Sequence, residues 1–233
     1  MDLLNLLFPR RCISCRKIGR YFCKKCTVKI EFTTYQICPV CGKSAIFGIT
    51  HPRCQTRYSL DGLTSVFRYN GVIRKAVKGI KYRFVSDLAQ EFISLIPDRS
   101  LSLFSKTYNL VPRTLVLIPI PLHSSRLHFR GFNQAEVLGK LLAKRLNIPV
   151  RADILKRVRK TVPQVEVKDR EKRLKNMENV FSVSPNPPAG GSQYPNILLF
   201  DDVFTTGATL RAAANVLKRA GARKVWGIVL AHG

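Results

Sequence analysis

The chain has 233 residues, of which 45% are hydrophobic, and Lys and Arg outnumber Asp and Glu by 40 to 14. This length fits one domain of ordinary size with a small second one, and the apolar fraction suffices for a core. No run of 18 apolar residues occurs, so no transmembrane span is expected. The net charge of +26 favours a polyanionic partner such as nucleic acid, or it serves solubility alone or reflects a host with generally basic proteins.

The first apolar stretch, residues 3–8, is short, follows an acidic residue and lacks a small-residue cleavage site. It is therefore not expected to be a signal peptide. We expect a cytoplasmic protein, because thiols stay reduced in that compartment. Clustered cysteines in such a protein usually bind metal and do not form disulfides.

All seven cysteines and one histidine lie within residues 12–54, in four pairs that share one spacing. The pairs are Cys12 and Cys15, Cys23 and Cys26, Cys38 and Cys41, and His51 and Cys54. Each pair directs two ligand atoms at one ion, and two pairs complete a tetrahedral zinc site. A sequential assignment puts the first four residues in one structural site and the last four in another, but the spacing equally allows a cross-braced pairing. We predict a zinc-binding module over residues 1–58, with zinc favoured over iron–sulfur ligation.

From residue 60 onward the pattern alternates between strands and helices. The predicted elements are a strand at 63–69, helices at 72–82 and 86–96, a strand at 114–118, a helix after 133, a strand at 197–200 and a helix after 207. Asn133 is predicted to cap its helix, with Glu136 placed as in a capping box. Gly221 is a plausible stop for the last helix. This alternation predicts an α/β domain with a mainly parallel sheet flanked by helices, over residues 59–233.

Two acids, Asp201 and Asp202, follow the apolar strand at 197–200, and a turn rich in hydroxyl groups and glycine leads into the last helix. Carboxylates accept hydrogen bonds from hydroxyl groups, and the free N–H groups of a helix N-terminus bind phosphate. The glycine, Gly207, permits a close approach of the backbone to a ligand. This arrangement predicts a site for a sugar phosphate. Taken alone, two acids after a strand would favour an ordinary polar turn between a strand and a helix.

A polar, basic segment at residues 118–134 follows the strand at 114–118. Arg126 and Arg130 are candidates for neutralising an anion there, because a departing anionic group needs charge stabilisation. The alternative is a solvated loop. His123 and His128 are expected to be surface histidines.

The string at 197–210 resembles the signature of type I phosphoribosyltransferases, which bind phosphoribosyl pyrophosphate. The resemblance implies that Asp201 and Asp202 bind the ribose hydroxyls. It implies that the following turn binds the 5′-phosphate through Thr205, Thr206, Gly207, Ala208 and Thr209. Arg126 and Arg130 would act with the two acids in catalysis by stabilising the pyrophosphate. Mg²⁺ would enter with the ligand, bound mainly through the diphosphate and water.

A wider resemblance covers nearly the whole chain. The cysteine pairs, the string at 130–134, the stretch with Thr161, Gln164, Arg173, Asn176 and Phe181, and the turn after Asp202 occur in the same order as in the ComF family. This resemblance implies a type I phosphoribosyltransferase fold with an N-terminal zinc head. It implies a role in natural competence, with imported single-stranded DNA and proteins of the competence machinery as partners. Lys81 and Arg173 would contact the ligand, whereas the acceptor and catalysis itself are not implied.

The sequence departs from that pattern at His51, where many members of the family carry another cysteine. Basic and aromatic residues also interleave at 67–69 and 81–84, as in surfaces that stack single-stranded bases. We favour slightly the other interpretation, buried strand aromatics with solvated neighbours. The alternative to a transferase is a non-catalytic, nucleic-acid-binding zinc protein on a fold derived from phosphoribosyltransferases.

Overall fold

The computed structural model describes residues 9–82, 86–98, 115–161, 177, 179–184 and 196–233. Its helices are α1 (Lys24–Thr27), α2 (Gly71–Tyr82), α3 (Ser86–Ser94), α4 (Ser124–Arg130), α5 (Gln134–Leu146) and α6 (Ala208–Arg219). Its strands are β1 (Gly62–Arg68), β2 (Leu115–Pro119), β3 (Leu155–Arg157), β4 (Phe181–Val183), β5 (Asn196–Phe204) and β6 (Lys224–His232). Short 3-10 turns occupy Ile46–Gly48 and Pro52–Cys54.

Four strands form one parallel sheet in the order β1-β6-β5-β2. The centre of the sheet is the β5–β6 pair, whose register runs from Asn196 opposite Lys224 to Phe204 opposite His232. Strands β3 and β4 form a separate antiparallel pair. In an open parallel sheet the carboxyl ends of the strands lie along one edge, where ligands usually bind.

Successive side chains of β5 point to opposite faces of the sheet, and each face is buried in a different core. Leu198 and Phe200 join a core with helices α2, α3 and α5. Ile197 and Leu199 join a second core with α6 and the β3–β4 pair. The predicted mainly parallel sheet with flanking helices is therefore confirmed.

The cysteine-rich segment packs directly on this sheet. Isolated bridges join this segment to strand β1. Phe32 pairs with Phe67, and Ile49 pairs with Gly62. Ile37 from the same segment belongs to the core that surrounds α6. A division of the chain after residue 58 therefore stays a prediction.

Most predicted elements are confirmed within one or two residues. Asn133 caps α5, since its side chain accepts a hydrogen bond from the Ala135 N–H at 3.1 Å. The Glu136 carboxylate pairs with Lys140 at 2.6 Å. Gly221 lies two residues beyond the end of α6, with a φ of 98°.

Two expectations were wrong. The strand that was predicted to end at Phe200 continues through Phe204, so Asp201 and Asp202 lie within β5. The segment predicted as a basic loop contains helix α4, which His123 begins by accepting the Ser125 N–H on its side chain. Among the described residues, no helix is long and apolar enough to cross a membrane.

Candidate functional site

The last residues of β5 carry an ion pair that reaches across to helix α2. Lys81, near the end of α2, places its Nζ 2.9 Å from Oδ2 of Asp202. Asp202 is only 5% exposed, so its carboxylate is buried beside the Lys81 ammonium. The neighbouring Asp201 accepts the Asp202 N–H on its Oδ1 at 2.9 Å. Two carboxylates and one ammonium group thus lie together at the carboxyl edge of the sheet.

The charges of these residues are strongly coupled. Burial raises the pKa of Asp201 to about 7, and the negative charge of Asp202 adds to this, while Lys81 and Arg157 oppose it. Burial by itself would lower the pKa of Lys81, but the charges of Asp202 and Asp201 outweigh burial and raise it. Lys81 therefore remains a cation, and Asp201 can gain or lose a proton near neutral pH.

The turn after β5 enters helix α6 through a left-handed glycine. Gly207 is the N-cap of α6 and has a φ of 75°, which favours glycine. Thr205 is exposed, Thr206 and Thr209 are partly exposed, and Ala208 is buried at the start of the helix. The Thr206 hydroxyl accepts the Ala208 N–H at 3.5 Å, which is a long hydrogen bond. A helix N-terminus of this kind presents free N–H donors to an anion.

The cysteine-rich segment contacts this same turn. A Cβ atom added at Gly207 would lie 3.0 Å from the carbonyl oxygen of Pro39 and 2.6 Å from the Phe204 ring. Pro39 lies between Cys38 and Cys41. Glycine at 207 is therefore required both by its φ and by the close approach of this metal-ligand pair.

The predicted arginines are found in different settings. Arg126 on α4 donates to the carbonyl of Thr161 at 2.9 Å, and Arg130 donates to the side chain of Gln134 at 2.6 Å. Arg173 lies outside the described residues. The roles in ligand binding that the sequence predicted for these arginines and for Lys81 stay predictions.

One arginine near the site was missed by the sequence analysis. Arg157, at the end of β3, donates to the Thr161 hydroxyl and interacts electrostatically with Asp201. Its guanidinium lies 5.6 Å from the centre of the Phe181 ring. The only sequence signal was its place in a strongly basic stretch, which does not indicate which arginine faces the sheet edge.

The eight predicted metal ligands form two groups in the sequential order. The first cluster is Cys12, Cys15, Cys23 and Cys26, and the second cluster is Cys38, Cys41, His51 and Cys54. Within each cluster the ligand atoms all lie within 4.8 Å of one another, and all seven cysteines, which the structure describes, are free thiols. This geometry excludes the cross-braced pairing, and the donor sets fit tetrahedral zinc.

The charges of the first cluster fit a bound cation. Burial disfavours the Cys12 thiolate, but backbone hydrogen bonds from residues such as Cys15 and Cys23 lower its pKa to about 6. Burial and the adjacent sulfur atoms raise the pKa of Cys26 to about 12. Since four neighbouring thiolates repel one another, a metal ion is needed to hold them all deprotonated.

His51 is placed as a metal ligand with a fixed ring. Its Nδ1 lies 3.4 Å from Sγ of Cys41, and its Nε2 lies 3.0 Å from the carbonyl oxygen of Ser44. A ligand histidine usually donates its second ring N–H to such an acceptor, which fixes the tautomer. The geometry therefore agrees with His51 as the ligand that replaces a fourth cysteine.

The aromatic residues proposed for base stacking divide into two cases. Phe67 is fully buried between Phe32 and Phe92, so the interpretation as a core aromatic is confirmed for this residue. Residues 83 and 84 lie outside the described residues. The structure instead exposes Phe129 on α4, at 89% of its surface, between Arg126 and Arg130. A single aromatic in a basic segment gave no sequence signal that could distinguish this position from a buried one.

Comparison with known proteins gives three findings. The family model of the double zinc ribbon domain matches residues 3–56. Competence protein ComFC of Bacillus subtilis is 33% identical over 207 residues, which cover 85% of this chain and 78% of that protein. DNA utilization protein YhgH of Salmonella typhimurium is 31% identical over 196 residues, covering 81% of each chain.

Among solved structures, adenine phosphoribosyltransferase from Leishmania tarentolae aligns with 60% of this chain and 74% of its own, at 15% identity and a TM-score of 0.32. The double zinc ribbon match and the two clusters together support structural zinc in the N-terminal segment. The identity to ComFC extends over more than three quarters of that protein. The chain therefore belongs to the ComF family.

Proposed function

We propose that this protein binds phosphoribosyl pyrophosphate at the carboxyl edge of the sheet, where β5 ends. One observation carries the proposal. Asp201 and the ion pair between Asp202 and Lys81 lie close to Gly207, the left-handed glycine that begins helix α6. The carboxylates can accept hydrogen bonds from ligand hydroxyl groups, and the helix N-terminus can bind a phosphate. Only four residues of chain separate Asp202 from Gly207.

In this proposal the ribose 2′- and 3′-hydroxyls donate to Asp201 and Asp202. The Asp202 carboxylate has the Lys81 ammonium as its partner on Oδ2, and because a carboxylate accepts several hydrogen bonds, a ligand hydroxyl can add a further donor. Lys81 holds the Asp202 carboxylate in place through their 2.9 Å ion pair. The 5′-phosphate accepts from the backbone N–H groups and hydroxyls of the turn, which comprises Thr205, Thr206, Gly207, Ala208 and Thr209.

The chemistry that this site supports is displacement at the anomeric carbon of the ribose. An acceptor nucleophile forms a bond to that carbon, and the carbon–oxygen bond to pyrophosphate breaks, with the electron pair leaving on the pyrophosphate. Arg126 and Arg130 of this chain are proposed to stabilise the developing negative charge. The carboxylates of Asp201 and Asp202 supply oxygen ligands of the type that Mg²⁺ prefers, and Mg²⁺ bound to the diphosphate would supply further charge neutralisation.

We further propose that the protein acts in DNA uptake and natural competence, in the cytoplasm, by handling single-stranded DNA together with other proteins of the competence machinery. The names of the relatives, a competence protein and a DNA utilization protein, support this proposal. The net charge of +26 and the exposed Phe129 between Arg126 and Arg130 also support it. Phosphate contact combined with base stacking is the usual way to bind single strands.

The second candidate function is a non-catalytic nucleic-acid-binding zinc protein on the same fold. In that case the basic surface and the zinc module would bind DNA, and the carboxyl edge of β5 would bind no ligand. The zinc module is proposed here as a unit over residues 1–58. The exposed aromatic on α4 favours this candidate as much as the first one.

Calorimetric titration of phosphoribosyl pyrophosphate with Mg²⁺ tests the main proposal. We expect saturable binding to the wild type and at least about a tenfold loss in Asp202→Asn, since one charged hydrogen bond is worth roughly 1.5–3 kcal/mol. Asp153→Asn is the matched control, because Asp153 is an exposed acid paired with Arg151. If a folded, zinc-loaded wild type shows no binding, the proposal that this protein binds phosphoribosyl pyrophosphate is wrong.

Fluorescence anisotropy with a labelled oligothymidylate tests the DNA proposal. We expect binding that weakens as salt rises and that loses affinity in Phe129→Ala, by about 1–3 kcal/mol for one stacked base. DNA binding that is unaffected by Asp202→Asn would mean that the two sites are separate. If the wild type binds DNA but no phosphoribosyl pyrophosphate, the second candidate function is favoured.

A further inference from the structure

Three large apolar side chains are exposed together where the segment that carries the second cluster turns back onto the sheet. Ile46, Phe47 and Ile49 expose 80%, 58% and 46% of their surface. Single exposed apolar residues are ordinary in a folded protein, but a group of them usually marks an interaction site. Residues 46–49 are called the apolar turn below, and they lie in the chain between two ligands of the second cluster, Cys41 and His51.

The apolar turn is fixed against strand β1. Ile49 forms a bridge with Gly62, and its N–H donates to the carbonyl of Ile46 at 3.1 Å. A Cβ atom added at Gly48, whose φ is 80°, would lie 1.9 Å from the carbonyl oxygen of Leu63. The backbone of the turn is therefore pressed directly against the strand. Because this backbone is already ordered, a partner would meet a surface that loses little further freedom on binding.

Phe47 holds an unusual backbone conformation within the turn. Its φ of 52° and ψ of 12° are left-handed values that non-glycine residues rarely adopt, although Asn tolerates them best. Residues held in such conformations are concentrated at functional sites and ligand clamps. The chain thus keeps an exposed aromatic ring at a position whose backbone favours a small polar residue, which fits a contact role for the ring.

The charges around the apolar turn are all positive. Residues 32–60 contain three basic side chains and no acidic one. The Nε2 atom of His51 lies 3.0 Å from the carbonyl oxygen of Ser44, so the part of the segment with Arg53 lies beside the part with Lys43. Both cations are exposed, and neither has an ion-pair partner in the part of the chain that the structure describes. A partner at this surface therefore needs acidic groups beside its apolar ones.

We propose that the apolar turn binds an acidic, amphipathic segment of another protein. Apolar side chains of that segment contact Ile46, Phe47 and Ile49, and its carboxylates pair with Lys43 and Arg53. A second copy of this chain fits poorly, because the protein carries a net charge of +26. Single-stranded nucleic acid fits poorly as well, because bases stack on aromatic rings and two of the three exposed side chains are isoleucine. The inference is independent of the proposed binding of phosphoribosyl pyrophosphate.

The test measures binding of labelled peptide pools to the full-length, zinc-loaded protein by fluorescence anisotropy. The acidic apolar pool contains short peptides in which Asp and Glu are mixed in random order with Leu and Phe. In the acidic polar pool, Ser replaces Leu and Phe. In the basic apolar pool, Lys replaces Asp and Glu. Labelled oligothymidylate is the probe for nucleic acid.

The variants remove the apolar surface or the charge, each with a matched control on the first cluster. Ile46→Gln combined with Phe47→Asn removes most of the apolar surface, and Asn suits the left-handed backbone at position 47. Val28→Gln is its control, because Val28 exposes 83% of its surface. Lys43→Gln removes one charge, and Lys29→Gln is its control, since Lys29 is exposed beside Val28. Zinc content and Tm are measured for every variant.

We expect the wild type to bind the acidic apolar pool at least about tenfold more tightly than the acidic polar pool, and not to bind the basic apolar pool. The double variant should lose at least about tenfold in affinity for the acidic apolar pool. Lys43→Gln should lose about twofold to fivefold, and high salt should abolish this difference. Both controls should change by less than about twofold, which is the range for residues outside an interface. Zinc content, Tm and phosphoribosyl pyrophosphate binding should stay at wild-type values.

Equal binding of the two acidic pools by the wild type would overturn the proposal, because it would show only a general attraction to a basic protein. Unchanged affinity in the double variant would overturn it too. If the double variant loses zinc, Ile46→Gln alone should still weaken binding at least about threefold. Loss of oligothymidylate affinity without loss of peptide affinity would assign the apolar turn to a nucleic-acid surface. Wild-type dimers that dissociate in the double variant would assign it to a second copy of the chain.

Discussion

The two metal clusters are each built from two ligand pairs with the same spacing, but they pack against different parts of the molecule. The first cluster lies against the helical layer: Ile13 fits over Gly79 of α2, and Phe22 stacks on Phe92 of α3 at 5.7 Å. The Glu91 carboxylate accepts the N–H groups of Tyr21 and Phe22 at 3.1 and 2.9 Å. This region is part of the hydrophobic core.

The second cluster approaches the carboxyl edge of the sheet, where the ligand is proposed to bind. Pro39 closely approaches Gly207, and Val40 and Cys54 line a cavity of about 360 Å³ against the exposed face of α6. The segment that carries this cluster also contacts strand β1, through the bridge from Ile49 to Gly62 and two hydrogen bonds between the Gln36 side chain and the Ser65 backbone. The comparison teaches that two metal-binding motifs with the same pair spacing can have separate consequences, one for the stability of the helical layer and one for the shape of the turn before α6.

The largest effect that separates them should come from removing one ligand of each cluster. Cys26→Ser should lower the zinc content from two ions to one and destabilise the whole chain by several kcal/mol, because zinc contributes about 10–16 kcal/mol to the folding of isolated fingers. Cys41→Ser should also remove one zinc ion but leave the helical layer folded, with weakened binding of phosphoribosyl pyrophosphate. Zinc analysis, denaturant unfolding and titration of both variants check this.

Equal loss of stability in both variants, with equal loss of ligand affinity, would contradict the division between the clusters. So would a second-cluster variant that binds the ligand as tightly as the wild type.

A smaller effect is expected from changing the contact between the second cluster and the phosphate turn. In Gly207→Ala, the new methyl group would meet the Phe204 ring and the Pro39 carbonyl at a φ of 75°. We expect a destabilisation of about 1–3 kcal/mol from the strained backbone and the overlap, together with weaker phosphate binding. Unfolding by urea and titration with ribose 5-phosphate measure the two effects.

Gly221→Ala is the matched control for this change. Gly221 has a φ of 98°, yet a Cβ atom there would meet nothing within 4 Å. The control therefore carries the backbone cost without the overlap, and it should leave ligand affinity unchanged. Equal effects of the two substitutions on affinity would mean that the Pro39 contact has no influence on the turn.

The first cluster can be tested without touching its ligands. Glu91→Gln removes the charge that accepts two backbone N–H groups, and we expect a loss of about 1–2 kcal/mol, within the range for hydrogen bonds to charged groups. Ligand affinity should not change. Glu31→Gln serves as control, because its exposed pair with Arg68 at 3.4 Å should contribute less than about 1 kcal/mol. A loss of ligand affinity in Glu91→Gln would connect the first cluster to the ligand edge.

Much of this arrangement followed from sequence because it depends on short-range patterns. Repeated spacing identified all eight metal ligands, and proximity in the structure then decided between the two pairings that spacing allowed. Apolar periodicity identified α6 and the buried part of β5. The end of β5 was misjudged because two acids resemble a turn, whereas pairing with β6 extends the strand as far as Phe204.

The parts of the site that depend on tertiary contacts were harder to predict. His123 is not among the usual N-cap residues, so helix α4 carried no start signal. Arg126 and Arg157 are 31 positions apart, and only the folded chain brings both to Thr161. Lys81 was selected through the family resemblance, and its pairing with Asp202 could not be read from spacing.

The last expected effect concerns the carboxyl edge of the sheet, which the second cluster faces and the first does not. The pKa of Asp201 is raised from an ordinary value of 3.8 to about 7, chiefly by burial. Between these two values the folded chain holds a proton that the unfolded chain has released, so stability decreases as pH rises through this window and is level above it. Asp201→Asn removes this dependence.

The ligand-free variant should therefore be more stable than the wild type above about pH 7, and the difference should shrink as pH falls toward about 5. Urea unfolding of both proteins across this range measures it, and loss of zinc at low pH cancels because both proteins have the same metal ligands. Asp153→Asn should instead be less stable than the wild type by an amount that stays constant over this range, because the hydrogen bond from Arg151 lowers the pKa of Asp153 below its ordinary value of 3.8. A pH-independent difference for Asp201→Asn would mean that Asp201 is ionised throughout, and that its partners at the sheet edge compensate fully for its burial.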